Sequence, residues 1–409
     1  WVIPPSWEVK TGTLKDPTGK VIADWHKNKL SLWSYSPSFK GKISLKNLNS
    51  KILSNPKKPS ATTFHFRNQY NFWKKEWGFS LPYKTHKKLK KGKYSVNIKT
   101  SFNAGKLEMA EDVHRGKSAD SFLFVGHFDH PQMCLDGLVG CLAGHELIRR
   151  LKDRQTKLTY RMLSTVEIIG SVFYARNHAK KNKIKEALFI SCPGSHQNIG
   201  YQQTFFKNNQ IDKITSHVLK SLNINFKTYD FRKGPIGNDE IAYDVGGVNI
   251  PCGSLVRSPF NTYHTDLDIP SGISWKNFEE TILVLGEIIH VFENNSILYR
   301  NFKGLPRLSS EKLNLYLSPE TASGIKGYSH SFSKDLFNDI PSQTKKLIEQ
   351  NTYKLNNLMN CLPNMCEGNK TILDIAIYAE LPFRFVENYI NLWIKKKLLK
   401  KIWKHPFRK

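Results

Sequence analysis

Between about residues 117 and 300, short apolar runs alternate with stretches of helical spacing. This alternation constrains the fold more than any other feature. "SFLFVG", "YRMLST" and "EALFIS" read as strands. "GLVGCLAGHELIRRL" carries Leu138, Cys141, Leu142, Ile148 and Leu151 at helical spacing. "GSVFYARNHAKK" and "NFEETILVLGEIIHVFEN" read as helices too. Strands that are apolar throughout are buried on both faces. The pattern predicts an α/β sheet with helices on its faces. In such sheets ligands sit beyond the carboxyl ends of the strands.

The chemistry-bearing residues fall at those ends. "GHFDHPQMCLDG" follows the first strand and supplies His127, Asp129, His130 and Asp136. A neutral imidazole is a good metal ligand. Asp129 lies close enough to His127 in the chain to orient its second ring nitrogen. Asp136 opens the following helix, whose N-terminus favours an anion there. Glu167 follows the strand "YRMLST" and is placed for general-base work on a metal-bound water. "GNDE" adds Asp239 and Glu240, candidates to hold a substrate amine or to line a solvated turn. "RSPFNTYHTDLD" adds Arg257, Tyr263, His264 and Asp266. A catalytic zinc keeps three protein ligands and one open position. His145, His178 and His290 lie in helical runs and read as surface or core residues.

Outside the centre, residues 1–116 read as a β-rich lid or scaffold with "LSLWSYS" and "YSVNIKT" as strands. Residues 301–342 read as a connecting segment rich in Ser, Pro and Gly. In residues 343–409, "SQTKKLIEQNTYKLNNLMN", "KTILDIAIYAEL" and "PFRFVENYINLWIKKKLL" read as three helices before a strand, "LKKIW". That pattern fits a winged helix-turn-helix. The net charge of +28 is compatible with nucleic-acid binding through Lys395, Lys396, Lys397, Lys400 and Lys401. The alternative is a compositional bias toward Lys and Asn, favoured because no single basic stripe emerges. No run is long and apolar enough to span a membrane. Six scattered cysteines without a C-x-x-C pair read as reduced thiols of a cytoplasmic protein.

These residues carry a resemblance. "IPPSWEV", "DPTGKVIADW", "WGFSLPY", "GHFDHPQMCLDGLVG", "VEIIGS", "GNDE", "PCGSLVRSPFNTYHTDLDIP" and "TILDIAIYAELPF" resemble the aminopeptidase-like zinc hydrolases with an inserted β domain and a C-terminal winged helix. Members are often found near surface-polysaccharide genes. The resemblance covers nearly the whole chain and implies helical sequence ahead of residue 1. It implies His127, Asp136 and His264 as metal ligands and Glu167 as general base, with His130, Asp239, Glu240 and Arg257 around them; Asp129, where the closer family usually has Cys, and Tyr263 join them from the reading of the residues themselves. Two carboxylates of the wider superfamily are replaced here by Ile168 and Ser195. One zinc is therefore expected, with a second left open. The implied activity is amide hydrolysis on a small peptide or an acylated amine. The alternative is a decayed enzyme fold acting as a ligand sensor or as a DNA- or protein-binding regulator. Oligomeric state is not legible.

Overall fold

The computed structural model describes residues 1–317 and 334–407, apart from 236 and 259. Part of the expected connecting segment, residues 318–333, lies outside the described residues. An antiparallel sheet at the N-terminus uses β1 (Ser6–Lys15), β2 (Val21–Asp24), β3 (Phe39–Ser44) and β4 (Lys93–Asn103), in the order β2-β1-β4-β3. Leu14, Phe79, Tyr94, Val96 and Ile98 form its own core. The run "LSLWSYS" is not a strand of that sheet. It makes a short 3-10 turn at Lys29–Ser31 and one isolated bridge from Leu32 to Phe79. Its apolar side chains Leu30, Leu32 and Trp33 are buried by packing rather than by ladder pairing.

The central sheet has seven strands: β5 (Ala110–His114), β6 (Ser121–His127), β7 (Thr159–Thr165), β8 (Ile184–Ser191), β9 (Ile199–Gln202), β10 (Phe226–Tyr229) and β11 (Cys252–Val256). Their order is β10-β9-β11-β8-β6-β7-β5. β6 runs parallel to both β7 and β8, and β5 and β9 introduce antiparallel pairs. All seven residues of β6 are buried. Phe122 and Phe124 face one side, with α1 (Leu138–Leu151), α3 (Gln210–Ser221) and α5 (Trp275–Asn294). Leu123 and Val125 face the other, with α2 (Ile169–Asn177) and α4 (Glu240–Tyr243). The alternation is that of a strand covered on both faces. From β6 the chain crosses to β7 on one side and later reaches β8 on the other. The C-terminal end of β6 is therefore the crevice where such sheets place ligands.

The C-terminal part is joined to this body more closely than the sequence pattern implies. Its sheet is built around β12 (Ser296–Arg300), which comes from the end of the central region. β12 pairs with β13 (Glu367–Thr371) and β14 (Leu399–Trp403). The expected single helix before it is two, α6 (Ser342–Gln350) and α7 (Thr352–Cys361), broken at Asn351, whose ψ of 56° leaves the helical region. α8 (Ile372–Ala379) opens on a capping box between Thr371 and Asp374. α9 (Phe383–Lys395) begins after Pro382, which is its cap rather than its first residue. Phe385 and Trp393 of α9 share one continuous core with Phe292 of α5 and Phe122 of β6. Among the described residues no helix is long and apolar enough to cross a membrane.

His217 on α3 is 7% exposed, and its Nε2 has no hydrogen-bond partner. Burial, with Lys220 and Lys213 nearby, lowers its pKa to about 4. The unfolded chain binds a proton near the ordinary value of about 6.5, while the folded chain does not. Stability from this site is therefore full above that value and lost as pH falls toward 4, by about 3 kcal/mol in all. Urea unfolding of His217→Leu should show a flatter stability profile than the parent chain across that window.

Candidate metal centre

The centre is assembled where β6, β7 and two later loops meet. His127 is the last residue of β6. After it the chain turns through Asp129 and His130 to Asp136, just ahead of α1. Gly137 makes the entry possible. Its φ is +122°, and a Cβ there would lie 2.5 Å from the His127 carbonyl oxygen. No L side chain adopts that conformation without strain. Asp268 holds the loop from outside, its two oxygens accepting from the backbone N–H groups of Leu135 (2.9 Å) and Asp136 (3.0 Å).

Asp136 lies at the centre and is 1% exposed. Its Oδ1 is 3.5 Å from His127 Nε2. Its Oδ2 is 2.9 Å from His264 Nε2 and 3.8 Å from His130 Nε2. His264 reaches this position from a left-handed backbone conformation, φ 55°. Such strain collects at functional sites. Both oxygens of Asp136, Nε2 of His127 and Nε2 of His264 are buried without an aligned hydrogen bond. Buried polar atoms are ordinarily paired. A shared cation is the partner this donor set fits: imidazole nitrogens and a carboxylate oxygen, the ligands of Zn²⁺.

The electrostatics agree. Burial works against charge on Asp136, but the His127 and His264 imidazoles beside it hold it well below the usual carboxylate range. Burial also opposes protonation of His127, yet Asp136 and Asp239 drive it well above its ordinary value. Burial pushes His130 down. It pushes Glu167 up to about 8, with His127 pulling the other way.

The surrounding residues differ from the sequence expectation at several points. Asp129 does not orient His127. Its Oδ1 accepts from the Glu167 backbone N–H at 2.9 Å and lies 3.8 Å from His130 Nδ1. The residue on His127 Nδ1 is Asp239, at 2.9 Å. The other oxygen of Asp239 accepts from Ile168 N and Ser171 Oγ. Asp239 is fully buried and has no oxygen left for a substrate amine. Glu240 is likewise buried and occupied, by Gln202, Arg232 and the Asn238 backbone. The glycine turn "GNDE" looks solvated in sequence, and only the fold brings it under β6. His130 is more central than expected. Two ligand-like groups can be drawn, His127–His130–Glu167 and His130–Asp136–His264, and His130 belongs to both. Arg257 is a structural clamp, donating to Thr281, the Gln197 carbonyl and Glu280. Tyr263 stacks on His264 at 3.9 Å between ring centroids. Neither Ile168 nor Ser195 supplies a carboxylate. Ile168 (φ 57°) lines an outer cavity together with Val172, Ile250, Arg176 and Lys180, and the Ser195 hydroxyl accepts from Gln197 N.

Residues that sequence reading passed over form a roof. Phe64 packs edge-on against His130 and His264, and Phe66 against His264. Phe64 N donates to the His264 carbonyl at 2.9 Å. Asp266 fastens the two parts, accepting from Thr62 N (2.8 Å) and Asn28 Nδ2 (2.7 Å). No local motif marks Asn28, Thr62, Phe64 or Phe66, because their partners in the His264 loop lie some 200 positions away.

Comparison with known proteins places the fold. A family model described as "Domain of unknown function (DUF4910)" matches residues 8–295. A Clostridium acetobutylicum protein described as a "putative polysaccharide biosynthesis protein with aminopeptidase-like domain" is 28% identical over 404 residues, 98% of this chain and 85% of that protein. A crystal structure of a "putative peptidase" from C. acetobutylicum matches with a TM-score of 0.78 at 26% identity, covering 98% of this chain and 85% of that one. A zinc aminopeptidase from Bacillus subtilis shares the fold, with a TM-score of 0.53 at 12% identity over 71% of this chain and 83% of that one. The architecture is thus aminopeptidase-like.

If His127 binds a metal through Nε2, the partner on Nδ1 tunes that bond. Asp239→Asn should weaken Zn²⁺ binding about 10- to 100-fold in chelator competition. Asp129→Asn should leave the affinity nearly unchanged.

Proposed function

The chain belongs to the DUF4910 family, and from its aminopeptidase-like fold and the buried cluster around Asp136 we propose that it is a zinc-dependent hydrolase of amide bonds. The observation that carries this reading is the set of unpaired, buried ligand atoms on His127, Asp136 and His264, with Glu167 beside them. These three residues are the proposed ligands of one zinc, with His130 Nε2 within reach of the same carboxylate oxygen. Bound there, zinc supplies Lewis acidity and a water acidic enough to ionise near neutrality.

The protein's own residues do the rest. Glu167 takes the proton of the attacking water and returns it to the departing amine. Asp239 keeps the His127 ring in one orientation and tautomer. Phe64, Phe66 and Tyr263 surround the imidazoles with apolar rings, which excludes water and strengthens charge interactions inside. The roof favours a small substrate, a short peptide or an acylated amine, over a folded protein. A role in polysaccharide biosynthesis draws support from the description of the C. acetobutylicum relative.

The nucleic-acid reading of the C-terminal part has less support. α9 would be the groove-reading helix, but most of its polar side chains have partners elsewhere in the chain, the Lys395–Asp335 pair lying at the surface. Arg384 pairs with Glu287, Glu387 with His290, and Lys395 with Asp335. Asn388 donates to the Leu336 and Asn338 carbonyls.

Two measurements test the proposal. Elemental analysis should find about one zinc per chain, lost in His127→Ala and in His264→Ala. Glu167→Gln should keep the zinc and lose amide hydrolysis by about 10²-fold or more. Full activity in that variant would remove Glu167 from the base role. A chain that takes up no zinc would end the hydrolase reading.

A further inference from the structure

Tyr70 belongs to the N-terminal region, at the end of the short helical turn Arg67–Tyr70. It is 97 residues from Glu167 in sequence, yet its hydroxyl reaches Glu167 Oε2 at 3.4 Å. Among the described residues it is the hydrogen-bond donor that the structure gives this carboxylate. The other approach to the same oxygen is His130 Nε2, at 3.9 Å. The Glu167 backbone is fixed independently, its N–H donating to Asp129. Left alone, the terminal torsion of a glutamate is broad and roughly two-fold, so its oxygens exchange places. The segment carrying Tyr70 is also held, by the Asp266 clamp and the Phe64–His264 backbone bond a few residues earlier.

We propose that Tyr70 is a positioning residue for Glu167, supplied to the centre by the N-terminal β-rich region. This rests on the reading of Glu167 as general base. The Tyr70 hydroxyl holds Oε2 and leaves Oε1 to face the water. In the step it supports, an O–H bond of water breaks and its proton goes to Oε1. The water oxygen's electron pair forms the new bond to the amide carbon as the carbonyl π pair moves onto the carbonyl oxygen, and the return of that pair re-forms C=O and expels the amine nitrogen. When the C–N bond breaks, the nitrogen takes that proton from Glu167. Tyr70 keeps its own proton throughout. The β-rich region is then part of the catalytic apparatus as well as a cover.

Two readouts test this, one of them independent of metal and substrate. Infrared difference spectra of metal-free protein should show a carboxyl band that moves in Tyr70→Phe. The movement should vanish when the same comparison is made in Glu167→Gln. A band unmoved by Tyr70→Phe overturns the proposal. With zinc-loaded protein and a panel of aminoacyl p-nitroanilides, Tyr70→Phe should lower kcat about tenfold at nearly constant KM. The loss should shrink to about twofold or less in a Glu167→Asp background, where the shortened side chain has already lost the contact. Equal losses in both backgrounds, or a change confined to KM or zinc content, would reduce Tyr70 to a structural part of the roof. If the bands move as expected but the zinc-loaded parent chain hydrolyses nothing, the hydrolase reading fails while the Tyr70–Glu167 pairing stands.

Discussion

A carboxylate in the position of Asp136 is costly unless something compensates it. It is almost wholly buried, among three imidazoles, and its oxygens lack aligned hydrogen bonds. An isolated buried charge ordinarily shifts its pKa and neutralises. Asp136 is instead held ionised by the rings around it. Each neighbouring device keeps that arrangement in place. Gly137 lets the chain turn tightly past His127, Asp268 ties down the loop backbone, and Asp239 fixes the His127 ring.

The second dependency runs between the two halves of the molecule. The His264 loop is not a free surface loop. It bridges from Thr265 to Thr63 and is pinned through Asp266 to Asn28 and Thr62. The N-terminal β region therefore positions His264 and covers it with Phe64 and Phe66. A helix or strand alone could not hold His264 at a positive φ. The surrounding structure must over-determine such a conformation.

The C-terminal part contributes differently. Its strand β12 continues directly from α5, and its helices share the core on one face of the central sheet. It thus stabilises the helix layer behind the centre. The basic residues that gave the sequence its DNA-binding flavour divide between ion pairs and solvent. Lys395 pairs with Asp335 and Lys401 approaches Glu387, for example.

Periodicity and residue type alone were enough to place β6, β7 and β8 and the helices α1, α2 and α5, while β9, β10, β11 and α3 were not read from them. A buried parallel strand must be apolar throughout, and a covering helix must carry an apolar stripe. The position of His127 and Glu167 at strand ends was legible for the same reason. The departures in the β-rich region and near Asn351 came where apolar residues are buried by packing, without a regular ladder or an unbroken helix. Tertiary structure alone decided which carboxylate serves His127, because Asp129 is near in sequence while Asp239 is near in space. It also decided the centrality of His130, the sealed state of Glu240, and the arrival of Tyr70 over Glu167. Sequence spacing reports neighbours along one element. Contacts across 97 or 112 residues are set by the packing of whole layers, which no local pattern records.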